Sequence, residues 1–203
     1  MITKSNETIK ERFARDIAGH VVEIRHDDDL YRHVVFKRPN TVSMMFSLTT
    51  TPGRLIYAGD MGCFVFERIT DMFEFFRAEK HEREPNFGYW HKKLVAIDRG
   101  GSNQKDVDKF QENLETYLSE DMSEEDRERV TDFISEAVGE FEDEGPEVAY
   151  RSVYEFSLDD ESKRRTQFFS DFFEHSDTVY TLRYEWACYA IQWGIRKYDE
   201  VKS

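Results

Sequence analysis

The spacing of apolar residues divides the chain into a β-rich first part and a helical remainder. A first amphipathic helix is predicted over residues 5–20, with an apolar face made of Ile9, Phe13 and Ile17. From Val21 the apolar period changes to two. Five short runs follow at residues 21–25, 30–37, 43–49, 54–58 and 63–68. The connections between them are too short for crossover helices, so the runs predict an antiparallel meander.

Helical spacing returns after the fifth run. One helix is predicted over residues 70–80, and the next begins at Asn86 with an apolar stripe of Phe87, Trp90, Leu94 and Ile97. Two more are predicted after Gly145 and over residues 163–173. The last helix, residues 178–198, is apolar nearly all round, which predicts a buried rod at the centre of the helical part.

Two acidic helices are predicted within residues 105–143, and their apolar residues keep helical spacing. The first stripe is Val107, Phe110, Leu114, Tyr117 and Leu118; the second is Val130, Phe133, Ile134, Ala137, Val138 and Phe141. Ser123 followed by Asp126 has the form of a capping box. With the stripes on a core, nine carboxylates are predicted to face outward as a partner-binding surface: Asp108, Glu112, Glu115, Glu124, Glu125, Glu128, Asp132, Glu136 and Glu140.

These elements predict an α+β protein. It has an N-terminal helix, a five-stranded antiparallel meander sheet, and then a C-terminal helical bundle with a buried last helix. At 203 residues and 24.2 kDa the chain fits one domain, with the sheet in residues 1–80 and the helical part in residues 81–203. Cys63 and Cys188 are expected to be reduced core thiols. No apolar run approaches 18 residues, so we expect a cytoplasmic protein without a membrane span.

The negative charge is confined to one stretch. Residues 101–147 contain 17 Asp or Glu and 4 Lys or Arg, a net of -13 out of -14 for the chain. From Glu124 to Asp143 nine carboxylates follow a helix about 30 Å long, or one per roughly 3.4 Å, which is close to the axial phosphate spacing of one DNA strand. Two interpretations remain: a solvated face that keeps the protein soluble, or a surface that imitates nucleic acid and meets a basic protein. Direct binding to nucleic acid through a general basic surface is not expected.

No motif predicts catalysis, a cofactor or a metal site. His26 with Asp27-Asp28-Asp29 has metal-ligand types, but adjacent residues on a tight turn diverge, so a plain turn is the better interpretation. Residues 59–62 resemble a hairpin turn more than a strained catalytic loop. His81-Glu82 lacks the second His of a zinc-protease helix, because position 85 is proline.

Two weaker features bear on binding. The basic clusters Lys92-Lys93 and residues 163–165 are balanced by nearby acids and are interpreted as solvated surface. The aromatic surplus is interpreted mostly as core. Tyr89, Trp90 and His91 are the candidates for an exposed stacking platform.

Several ordered segments resemble a known family. They are Phe36-Lys37-Arg38-Pro39, Gly59-Asp60-Met61-Gly62, Phe66-Glu67-Arg68 with residues 71–77, Asn86 with Tyr89-Trp90, and Trp186 through Trp193-Gly194-Ile195 to Tyr198-Asp199. In this pattern the chain resembles small proteins of tailed phages, prophages and plasmids. The resemblance covers most of the chain and implies no activity or catalytic residue. It implies an accessory product acting inside a bacterial host cell, where acidic counter-defence proteins are common.

The leading hypothesis is a non-enzymatic phage accessory protein that inhibits a host defence or nucleic-acid-handling complex. Its acidic helices would occupy a basic, nucleic-acid-binding groove of that host complex. One alternative is a nucleotide-binding or sequestering protein, or a small hydrolase, with a pocket between sheet and helices around Asp60 and Trp90. Another is a structural or assembly protein.

Overall fold

The computed structural model describes residues 7–77, 84–158 and 167–203. In chain order its elements are α1 (Ile9–Asp16), β1 (Val21–Asp28), β2 (Tyr31–Lys37), β3 (Phe46–Thr51), β4 (Arg54–Gly59), β5 (Gly62–Glu67), α2 (Met72–Phe76), α3 (Phe87–His91), β6 (Leu94–Ile97), β7 (Asn103–Lys105), α4 (Val107–Glu115), α5 (Glu124–Asp143), α6 (Pro146–Glu155), a 3-10 turn (Phe172–Glu174), β8 (Thr178–Tyr180) and α7 (Leu182–Lys202). The α+β class and the N-terminal helix are confirmed.

The chain divides into two compact units. Unit 1 combines Met1–Ser102 with Tyr180–Ser203, and unit 2 is Asn103–Val179. Two compact units can still unfold together, so the expectation of one cooperative domain stays a prediction.

The sheet of unit 1 is an antiparallel meander in the order β1 to β6. The meander is confirmed, but the predicted number of five strands is wrong. The sixth strand lies where the sequence predicted the end of a helix: α3 stops at His91, and Leu94 pairs with Phe66 of β5. An apolar run of four residues fits a helical stripe and a strand equally well, and the open hydrogen-bonding edge of β5 favours the strand.

Several predicted helix ends also differ. Helix α1 begins after Thr8, which forms a capping box with Glu11, and it stops at Asp16. Helix α2 stops at Phe76, and residues 78–80 of the predicted helix lie outside the described residues. For the helix predicted over residues 163–173, residues 163–166 also lie outside them. The remainder forms turns and the short 3-10 segment, so the prediction of an α-helix there is wrong.

Helix α7 is buried as predicted, but its place in the fold differs. It packs on the sheet of unit 1, so the expectation of a rod inside the helical part is wrong. A side chain at Gly194 would place its Cβ 3.0 Å from Phe36 Cζ and 3.1 Å from Leu48 Cδ1, so glycine allows the close approach of helix and sheet. Trp186 is 1% exposed and donates its indole N–H to Asp16 Oδ2 at 3.2 Å.

Unit 2 has its own apolar core, formed by residues of α4, α5, α6 and the 3-10 segment. Its fully buried members include Phe110, Leu114, Val130, Ala137, Val153 and Phe169. Strands β7 and β8 form a separate two-stranded sheet at the start and end of this unit. Next to that sheet, Thr181 donates its backbone N–H to the Ser102 carbonyl at 2.8 Å. The chain therefore leaves and re-enters unit 1 at neighbouring positions.

Candidate partner-binding surface

Helix α5 is held in a fixed orientation by its cap and its apolar stripe. Ser123 Oγ accepts the N–H of Asp126 at 3.1 Å and donates to the Asp126 carboxylate at 2.8 Å, so Ser123 is confirmed as the N-cap. Val130, Ile134 and Ala137 are buried in the core of unit 2, as the predicted stripe requires. The opposite side of the helix is therefore turned away from this core.

Four carboxylates follow that outer side at intervals of four residues. We call them the acidic row: Glu124, Glu128, Asp132 and Glu136, all exposed. Successive members are about 6 Å apart along the axis at roughly 1.5 Å per residue. Glu125, also exposed, lies beside the first member. The outward orientation that the sequence predicted is confirmed for these five side chains.

Glu140 continues the same spacing but is half-buried. Four residues of an α-helix turn about 40° beyond a full revolution, so each step along the row rotates its side chain around the helix. After four steps from Glu124 the rotation reaches roughly 160°, which brings Glu140 towards the packed side. One of its carboxylate oxygens is buried without a partner in the described part of the chain.

The three predicted acids on α4 are exposed, and two of them form hydrogen bonds within their own helix. Glu112 accepts a hydrogen bond from Lys109 Nζ at 2.8 Å, and Glu115 accepts one from Gln111 Nε2 at 2.6 Å. Asp108 is exposed as well. The ion pair with Lys109 reduces the charge that α4 presents, so α5 carries the stronger part of the surface.

Three basic residues of unit 2 contact partners outside the acidic row. Lys105 pairs with Asp177 at 2.6 Å, Arg129 lies 3.7 Å from Asp126, and Arg127 donates to the Ser119 carbonyl at 2.6 Å. Across residues 84–158 and 167–179, no Lys or Arg is within ion-pair distance of the row. Its charge is therefore not compensated by described residues of its own unit.

The buried Asp177 connects β7, the start of α4 and α6 through hydrogen bonds. It accepts hydrogen bonds from Lys105 Nζ and from the Tyr150 hydroxyl, and its backbone carbonyl accepts the N–H of Asp106 at 3.0 Å. Burial, and then the bond to Asp177, raise the pKa of Tyr150 to about 12. Tyr150 is therefore a neutral hydroxyl donor at physiological pH, and this cluster has a structural role.

The division into units separates the charge more sharply than the sequence pattern suggested. Residues 103–179 contain 24 Asp or Glu and 8 Lys or Arg, a net charge of -16. The rest of the chain has 42 - 24 = 18 acids and 28 - 8 = 20 bases, a net of +2. Almost the whole anionic character therefore belongs to unit 2.

The triple acid in unit 1 does not form a metal site. Asp27 lies in β1 and accepts hydrogen bonds from the Tyr198 hydroxyl at 2.7 Å and from Lys202 Nζ at 2.6 Å. Asp28 ends that strand, and Asp29 occupies the turn with φ of 53°. Within residues 7–77, 84–158 and 167–203, no three His, Cys, Asp or Glu side chains gather as metal ligands would.

The other candidate residues are part of loops or core. Asp60 accepts the backbone N–H of Met44 at 2.6 Å in its hairpin, and Trp90 is 5% exposed, packed edge-on against Phe76. Tyr89 is 44% exposed, with Lys93 Nζ 5.1 Å from its ring centre. His81-Glu82 and residues 163–165 lie outside the described residues.

A groove that the sequence did not predict lies in unit 1 between α1 and α7. Its volume is about 670 Å³. The described residues lining it include three aromatic and three basic side chains: Phe13, Tyr189, Trp193, Lys10, Arg77 and Arg196. They come from segments almost the whole chain apart, so no local pattern could bring them together.

Comparison with protein-family models, with curated proteins and with solved structures returned no match. Among the described residues, no helix is long and apolar enough to cross a membrane. The surface described above is therefore interpreted from its geometry and charge alone.

Proposed function

We propose that the protein is a phage accessory protein that binds and inhibits a host defence or nucleic-acid-handling complex. In this proposal the acidic row and Glu125 occupy a basic groove of the host complex that normally holds DNA or RNA. The observation that carries the proposal is a row of carboxylates that no Lys or Arg in the described part of unit 2 pairs with, held on a packed helix within a unit of net charge -16.

The arrangement has a cost within the protein itself. Like charges four residues apart on a helix repel, at roughly 0.2–0.5 kcal/mol for each pair. The three consecutive pairs of the row therefore destabilise α5 by about 1 kcal/mol. No described base offsets this repulsion, and a local cost of this kind is common at functional surfaces. A basic partner would supply the missing cations.

The proposed contact is predominantly electrostatic. Each exposed ion pair contributes about 0–1 kcal/mol, so stable binding needs several pairs at once. Raising the salt concentration from 0.15 M to 1 M shortens the screening length from about 8 Å to about 3 Å, so association should weaken strongly.

The experiment compares two variants with the same change in charge. One replaces Glu125, Glu128, Asp132 and Glu136 by Lys. The control replaces by Lys four exposed acids of unit 2 that do not belong to the acidic row: Glu120, Asp121, Glu155 and Glu174. Partners are captured from bacterial lysate at low and high salt, identified by mass spectrometry, and tested for competition by DNA or RNA. Circular dichroism confirms that both variants fold.

We expect the variant with four Lys substitutions on α5 to lose a nucleic-acid-binding partner that the wild type and the control variant retain. Nucleic acid should displace that partner from the protein. Equal retention by both variants, or a partner that neither salt nor nucleic acid displaces, would refute the proposal.

A further inference from the structure

We propose that the groove between α1 and α7 binds a nucleotide, with its base against the accessible indole of Trp193 and its phosphates at the basic rim. The described lining residues all belong to unit 1, whereas the acidic row belongs to unit 2. A volume of about 670 Å³ lies within the range of small-ligand sites.

The aromatic residues of the groove are held in place by their own packing. The rings of Phe13 and Tyr189 stack with centres 5.8 Å apart, and Trp193 meets Phe13 edge-on at 6.4 Å. Phe13 and Tyr189 are only 6% and 7% exposed, whereas Trp193 is half-buried, so the accessible ring in the groove is part of the Trp193 indole. Stacking of a base on an exposed aromatic side chain contributes roughly 1–3 kcal/mol.

Two of the three side chains of the basic rim, Lys10 and Arg196, are held only weakly by their present partners. Lys10 Nζ is 3.4 Å from Glu84, and Arg196 Nε is 4.0 Å from Glu200, with side chains 53% and 67% exposed. Exposed pairs at these distances contribute little, so a phosphate can replace either carboxylate. Arg77 differs, because both oxygens of Asp199 hold its guanidinium at 2.9 Å.

The combination of flat apolar surface and positive charge selects the class of ligand. Among the described lining residues, three basic side chains and one carboxylate, that of Asp199, disfavour a cationic aromatic ligand. An aliphatic acid would leave the accessible indole of Trp193 without a stacking partner. In addition, Gln192 Nε2 is buried without an acceptor among the described residues, which leaves a hydrogen-bond donor in the lining. A nucleotide presents a flat ring, hydrogen-bond acceptors and negative charge together.

The test is calorimetric titration of the full chain with ATP, with tripolyphosphate and with a single-stranded hexanucleotide. Tripolyphosphate carries similar charge without a base, so it measures what the aromatic residues contribute. The groove variant combines Lys10→Glu with Arg196→Glu. Its matched control combines Lys92→Glu with Arg99→Glu, two exposed bases of unit 1 that do not line the groove.

We expect one ATP per chain, with tripolyphosphate binding at least about fivefold more weakly, since stacking contributes about 1 kcal/mol or more. The groove variant should lose at least about tenfold in affinity, while the control stays within about twofold. If the hexanucleotide binds instead of ATP, and the groove variant loses this binding while the control keeps it, the natural ligand is a nucleotide within a single strand.

Three results would overturn the proposal. They are absence of binding by both ATP and the hexanucleotide, equal affinity for ATP and tripolyphosphate, or equal loss in the two double variants. Because the acidic row is unchanged in all of these proteins, none of these results bears on the capture of a basic partner.

Discussion

Replacing Arg32 by methionine should destabilise unit 1 by about 2–4 kcal/mol, because it leaves the Asp71 carboxylate without its cation. Arg32 donates Nη1 and Nη2 to the two oxygens of Asp71 at 2.8 and 3.1 Å. The side chains are 9% and 22% exposed. Breaking a buried pair costs about 3–5 kcal/mol, and the partial exposure of Asp71 reduces that figure. Methionine keeps an apolar chain near Phe73, whose ring centre lies 4.9 Å from the guanidinium.

A double-mutant cycle in urea measures this contribution directly. Asp71→Asn removes the charge but keeps an oxygen to accept the N–H of Phe73, which Asp71 caps at 2.9 Å. With Arg32→Met, Asp71→Asn and the double variant, we expect a coupling energy of about 2 kcal/mol. Additive free energies of unfolding would show that the pair contributes nothing beyond its separate side chains.

The same pair predicts a response to pH. Burial alone would raise the pKa of Asp71, but hydrogen bonds from Arg32 and the Phe73 N–H outweigh burial, and the pKa lies below its ordinary value. Because the folded-state pKa is lowered, the stabilisation is complete above the unfolded-state pKa of about 4 and is lost as the pH falls through the folded-state value. The Arg32→Met protein should therefore lose less stability than the wild type below about pH 4, and an equal loss would contradict this assignment.

Two further predictions concern unit 2. Gly139 lies in the middle of α5, and an added Cβ would meet nothing within 4 Å, so Gly139→Ala should raise the free energy of unfolding by up to about 1 kcal/mol. Gly145→Ala should lower it, because φ there is 101°, and urea unfolding of both variants checks the contrast. Replacing residues 103–179 by a short Gly-Ser linker should leave unit 1 folded, because Ser102 and Thr181 are already hydrogen-bonded at 2.8 Å. Loss of cooperative unfolding in that shortened protein would show that unit 1 depends on unit 2.

The sequence correctly predicts those elements that depend only on residues close together in the chain. The cap at Ser123 and the stripe through Val130, Ile134 and Ala137 both appear in α5, because capping and periodicity depend on neighbouring residues. For the same reason the exposed acids of the row were predicted individually. The drift of Glu140 towards the core follows from helix geometry and was available from its spacing alone.

Contacts between distant segments decided what the sequence left open. Residues 94–97 became a strand because β5 had a free edge, and α7 packs on the sheet although a long acidic segment separates the two in sequence. The sequence carries one signal of such a distant contact. In β2, Arg32 shares the inward side with Val34 and Phe36, and a charged residue in such a position indicates a buried partner elsewhere. The groove has no comparable local signal.

The order of the elements has a consequence for synthesis on the ribosome. Strands β1 to β6 are translated early, but the helix that fills their core is translated only after the whole of unit 2. The described core of unit 2 consists of residues from one continuous segment, so unit 2 can fold as it emerges from the ribosome. Until α7 is made, the apolar side chains on the inner face of the sheet remain partly exposed to solvent. The nascent chain therefore passes through a stage in which unit 2 is folded while the incomplete unit 1 needs protection from aggregation.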